Sequence, residues 1–71
     1  MITEQDIEHW FTYRVPEQED APKLLAIRDA GKAFALTVLR NTTPSADQTT
    51  AIRKIREAVM TANAGIVLRG K

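Results

Sequence analysis

The stretch LLAIRDAGKAFALTVLRNTTPSADQTTAIRKIREAVMTANAGI, residues 24–66, decides the architecture. In its first half Leu24, Ile27, Gly31, Phe34 and Val38 recur at alternating intervals of three and four, which places them on one stripe of an α-helix. Ile52, Ile55, Val59, Ala62 and Ile66 repeat that spacing in the second half. Only the polar run Asn41 to Pro44 separates the two, and matched stripes joined by about four residues specify an antiparallel αα-hairpin. Asp20 is a natural N-cap with Pro22 tolerated in the first turn, so the first long helix is expected over about 20–40. The second is expected over about 45–68, opened by a Ser45/Gln48 capping box, with Thr43 and Pro44 an equally legitimate start.

Ahead of the hairpin, Phe11-Thr12-Tyr13-Arg14-Val15-Pro16 is rich in β-branched and aromatic residues, and Pro16 biases Val15 toward an extended backbone. It reads as an extended crossing segment. Thr3 and Asp6 form an N-cap pair for a short helix over about 3–10, whose apolar side is Ile2, Ile7 and Trp10. The chain is therefore expected to be a single all-α domain: short helix, crossing segment, long hairpin.

The apolar arc is wider than one partner helix can cover. Leu25, Ala30, Ala33, Leu36 and Leu39, then Ala58, Met60 and Val67, lie beyond the two stripes, and some of them are expected to face another subunit. Small residues at Ala30, Gly31, Ala33, Ala62, Ala64 and Gly65 would let helices approach closely. A chain of 71 residues without cysteine has no disulfide or thiolate metal site to reinforce a small core, and one histidine cannot build a metal cage. Self-association is the remaining reinforcement.

Charge is unevenly placed. Net charge is only +1, yet residues 1–20 carry six acids and one base while residues 21–71 carry nine bases and three acids. An anionic ligand should meet the second part, and the acidic leading segment of one subunit is expected to pack on the basic hairpin of another. No apolar run approaches the ~20 residues a membrane span needs, residues 1–10 lack the pattern of a signal peptide, and a cytoplasmic location is expected. Gly31, Gly65 and Gly70 belong to no phosphate-binding loop. With His9 the one side chain that ordinarily titrates near neutrality, and no serine or carboxylate tied to it, the sequence offers no catalytic set and no cofactor. His9 reads as a surface or subunit-contact histidine.

Arg28 and Lys32, four apart, project from one helix face and repel unless something negative lies between them. A phosphate or another subunit's acid would satisfy them; a solvated basic face is the plainer alternative. Arg53, Lys54 and Arg56 form a denser cluster, with Glu57 placed to pair with Arg53. Asn63, one residue off the core stripe, suits either a base edge or a neighbouring helix. Tyr13 suits either base stacking or a place in the core.

The series Phe11-Thr12-Tyr13-x-x-Pro16, Ala26-Ile27-Arg28-x-Ala30-x-Lys32-x-Phe34-Ala35, Pro44-Ser45 and Glu57-Ala58-Val59-Met60-x-Ala62-Asn63-Ala64-x-Ile66 resembles the phage anti-CBASS cyclic-oligonucleotide sponge family. That family shares its helical hairpin with one of the Thoeris anti-defence sponges. The resemblance runs from about Ile2 to Leu68. It implies a homo-oligomer, typically a hexamer, acting in the host cytoplasm and binding cyclic nucleotides without degrading them. Tyr13 would stack on the bases and Arg28, a lysine in the anti-CBASS relative, would face the phosphates. Lys32, Arg14, Asn63 and Arg56 are the remaining candidates for the ligand-binding set, outside what the resemblance carries over. Cyclic dinucleotides are the expected ligand, with cyclic trinucleotides or a cyclic ADP-ribose isomer as alternatives. The basic residue that serves trinucleotides in the family falls near Ala64, where Arg56 or Arg69 would have to substitute. A helical adaptor using Arg53, Lys54 and Arg56 toward protein or nucleic acid is the reading from a different class; membrane partners are not expected.

Overall fold

The computed structural model describes residues 1–12 and 16–69. Three helices form: α1 (Glu4–Phe11), α2 (Ala21–Asn41) and α3 (Ala46–Val67), with a 3₁₀ turn at Gln18–Asp20 leading into α2. Helices α2 and α3 pack as the expected hairpin, and the described residues contain no strand. The molecule is long and thin, 43 × 30 × 16 Å with a radius of gyration of 15.0 Å. A compact chain of this length would have about 11 Å.

The helix starts follow from local polar chemistry. Thr3 caps α1, its hydroxyl accepting from the Asp6 N–H at 3.2 Å while the Asp6 carboxylate accepts from the Thr3 N–H at 2.9 Å. Phe11 closes α1 rather than opening a crossing segment, and only Thr12 and Pro16 to Glu17 of that segment are described outside helix. The rest of it, with Tyr13, Arg14 and Val15, lies outside the described residues.

At the turn, Ser45 caps α3 by accepting from the Gln48 N–H at 3.1 Å. The reciprocal half of a capping box is not made. Instead the Gln48 amide reaches across to α2, donating to the Leu39 carbonyl (3.3 Å), the Thr42 carbonyl (3.2 Å) and the Thr42 hydroxyl (3.0 Å). These carbonyls sit where α2 runs out of intrahelical donors, so one amide satisfies the end of α2 and fixes the start of α3.

Between the ends there is no closed core. No apolar residue among the described residues is buried; the two buried residues are Asp20, 0% exposed, and Gln48, 9%. The helices meet along a seam of Gly31 against Ile55 and Val59: a Cβ built on Gly31 would collide with the Val59 Cγ2. Close approach is therefore confirmed at Gly31. At Gly65 it is not, since a Cβ there meets nothing within 4 Å.

The two glycines thus make opposite predictions. Val59, β-branched and in a helix, has essentially one χ1 rotamer and cannot swing aside cheaply. Gly31→Ala should lose about 1–2 kcal/mol, the overpacking cost exceeding the better helix propensity of alanine. Gly65→Ala should gain about 0.4–1 kcal/mol. Thermal midpoints would show the contrast, at about 4–8 °C per kcal/mol for a chain of this size; a Gly31→Ala variant as stable as the parent would contradict the seam.

Candidate anion-binding groove

The seam divides the hairpin into two long grooves. One is lined by Arg28, Lys32 and Ala35 of α2 and by Ile52, Arg56 and Met60 of α3, and has a volume of about 270 Å³. The cations follow from helix geometry: Arg28 and Lys32 are stacked one turn apart on α2, and Arg56 reaches the same groove from α3. None of the three has an ion pair with a described residue. The lining itself is almost wholly apolar, so the three side chains border the groove with their stems while their charged ends stay exposed at its rim. A groove of this kind suits an anion, because guanidinium groups bind phosphate oxygens in bidentate fashion and the apolar floor weakens competition from water.

The second groove, about 570 Å³, is lined by Ile27, Ala30, Phe34 and Val38 of α2 and by Ala58 and Ala62 of α3, with Lys54 as its one charged member. The basic cluster read from the sequence is thus split, Lys54 opening on the apolar groove and Arg56 on the cationic one. Arg53 is exposed and does not pair with Glu57.

Asn63 lies elsewhere. It lines a third cavity, about 350 Å³, with Trp10 and Thr12 of the N-terminal arm and Leu24, Ala64, Val67 and Leu68 at the open end of the hairpin. Its side-chain Oδ1 is buried without a hydrogen-bond partner, so of the two uses left open for Asn63 that oxygen does not make the bond to a neighbouring helix. Of the expected ligand set, Arg28, Lys32 and Arg56 come together, Asn63 stands apart, and Tyr13 and Arg14 lie outside the described residues.

Arg69 is committed to another task. Its guanidinium donates to the Asp20 Oδ1 at 2.6 Å and lies 2.9 Å from the Glu17 carboxylate, with Glu19 at 4.0 Å. Asp20 was read as an α2 N-cap, but its side chain caps no N–H of α2; the second oxygen accepts from the Glu17 N–H at 3.0 Å. Part of the acidic segment is therefore neutralised within its own chain. Arg69 holds a left-handed backbone, φ 60°, at the position past a helix end where glycine is usual. The clasp offsets the cost of that conformation, roughly 1–2 kcal/mol for a residue with a Cβ. Nothing in the sequence spacing signals a contact across 49 residues.

The Arg69 hydrogen bond holds the Asp20 carboxyl below its ordinary pKa, outweighing the opposing effect of burial, and the Glu17 N–H and the charge of Lys23 act in the same direction. The Arg69 pKa is raised in turn, chiefly by Asp20, so the guanidinium stays charged at any working pH. No helix among the described residues is long and apolar enough to cross a membrane, and they contain no cluster of potential metal ligands. The chain matches no protein-family model, no curated protein and no solved structure.

Because the folded pKa of Asp20 is depressed, its contribution is complete at neutral pH and is lost as pH falls below the ordinary carboxylate range near ~4. Asp20→Asn should lower the thermal midpoint at pH 7 and flatten its decline in acid, and Arg69→Lys, which keeps charge but loses the fork, should fall between. An acid limb unchanged by Asp20→Asn would show that the clasp contributes nothing.

Proposed function

We propose that this chain is a non-enzymatic sponge for cyclic dinucleotides, such as 3′,3′-cyclic GMP–AMP, of the kind that phages use against CBASS immunity in the host cytoplasm. The observation that carries the reading is that Arg28, Lys32 and Arg56, none of which pairs with an acid among the described residues, border one apolar groove. The resemblance in the sequence supplies the ligand class, and the groove supplies chemistry suited to it. A cyclic dinucleotide is a compact dianion with two apolar faces. Its phosphates need fixed cations and its bases need flat or soft apolar surface. Arg28 and Lys32 provide the first, Ile52 and Met60 the second, and Tyr13 a stacking ring. Sequestration requires no bond to be broken.

Self-association belongs to the same reading. A groove open along one side grips a ligand weakly unless a second surface closes over it, and assembly as a homohexamer would provide that surface and preorganise the site. Cyclic trinucleotides and cyclic ADP-ribose isomers remain the alternative ligands. The clasp engages Arg69, and Arg56 borders the groove with Arg28, which weighs against either serving a separate trinucleotide site near Ala64. The adaptor reading loses Lys54 from its basic cluster, since Lys54 opens on the other groove from Arg56.

Calorimetry against a panel of cyclic di- and trinucleotides and cyclic ADP-ribose isomers tests the reading. A cyclic dinucleotide should bind and be recovered intact after heat denaturation of the protein. Arg28→Ala should weaken it about 10- to 100-fold and Tyr13→Ala comparably. Equal binding by wild type and Arg28→Ala, absence of binding, or a cleaved ligand would each sink it.

A further inference from the structure

We infer that the second, apolar groove of the hairpin is the docking site for helix α1 of another copy of this chain, an arm-in-groove contact; this rests on the self-association proposed above. Helix α1 carries Ile7, Trp10 and Phe11 on one face, since positions three and four apart fall on one side of a helix. Ile7 and Phe11 are 47% and 83% exposed, and the arm's own hairpin meets it around Trp10 and Thr12, at the open end of the molecule. The groove is the complementary surface without a cover: Ile27, Phe34, Val38, Ala58 and Ala62, with Phe34 59% exposed.

Three further features select a second copy as the occupant. The first is charge. Glu4 and Glu8 both lie along the Phe11 edge of the apolar face of α1, and the one charged group on the groove is Lys54, so an arm docked with that edge toward Lys54 brings carboxylates to the ammonium. The second is length, because eight helical residues span about 12 Å and the groove from Ile27 to Val38 runs about 16 Å. The third is area. The chain exposes 6005 Å², against about 4,400 Å² for a compact monomer of 7.9 kDa. The excess, about 1,600 Å² per chain, is twice the roughly 800 Å² that one partner gives to a standard interface, as two contacts per copy require. Each copy gives one arm and receives one, so reciprocal exchange closes a pair, and sequential exchange closes a ring wherever the rotation permits. The acidic arm and the basic hairpin thereby meet between chains, while the clasp uses the remaining acids within one.

Two exposed phenylalanines separate the halves of the contact. Phe11→Asp spoils the arm and leaves the groove; Phe34→Asp spoils the groove and leaves the arm. Circular dichroism verifies that each variant keeps its helices. In sedimentation across a dilution series, each variant alone should assemble at least 10-fold more weakly than wild type. An equimolar mixture should recover a heterodimer, because the intact arm of the Phe34→Asp chain fits the intact groove of the Phe11→Asp chain. The emission of Trp10, the chain's single tryptophan, should move to shorter wavelength as the parent assembles. If Phe11→Asp assembles as wild type does while Phe34→Asp fails, hairpins meet face to face and the arm-in-groove contact is wrong, although self-association stands. Failure of the mixture to pair overturns it equally. A wild-type chain that is monomeric at every concentration overturns this contact and the self-association beneath it, while the calorimetric result for Arg28 would be judged separately.

Discussion

Two buried polar groups, one at each end of the hairpin, hold this molecule in shape. Gln48 ties the end of α2 to the start of α3 through one amide, and Asp20 ties the approach to α2 to the residue just beyond α3 through Arg69. An unpaired buried amide or carboxylate is costly, so each must be fully satisfied, and satisfaction is possible in one register only. The apolar seam of Gly31, Ile55 and Val59 sets the helix separation between those ends but buries no residue completely. A small chain is thus kept in register by hydrogen bonds where most domains rely on a core.

That arrangement has a functional counterpart. Because the seam runs along the middle and is open on both sides, the hairpin presents two apolar grooves, one bordered by three cations and the other by one. On the function proposed above, a single two-helix unit serves two roles without a second domain, holding an anion on one side and a neighbour on the other. The net charge of +1 conceals this, since it averages an acidic arm, a carboxylate-bound Arg69 and a groove with three uncompensated cations.

The parts legible in the sequence were those governed by local rules. Helical periodicity located α2 and α3 to within a residue or two, and the Thr3/Asp6 and Ser45/Gln48 pairs marked two helix starts. Spacing of four put Arg28 and Lys32 on one face, and that face proved to include Arg56. What the sequence hid was long-range or many-sided. The capping-box spacing gives Gln48 only a local use, and the cross-hairpin one prevails because the free carbonyls at the end of α2 outnumber their donors. Asp20 carried a cap signature but is drawn away by a guanidinium that approaches it only once the hairpin has closed. The basic run at Arg53 to Arg56 looked like a patch, yet residues 54 and 56 lie on different sides of a helix and open on different grooves.

The placement of the two polar ties also bears on how such a chain can change. Gln48 and Asp20 with their partners occupy the extremities, and the tight approach between them is made by a glycine against two branched side chains. The exposed flank positions, among them Arg28, Lys32, Phe34 and Arg56, stand outside those contacts. Exchanging lysine for arginine, or one apolar residue for another, on either flank leaves register and separation intact, so the preferred anion and the geometry of assembly can each drift under selection while the scaffold stays the same. Evolvability here is a mechanical property: the fold is secured where nothing binds.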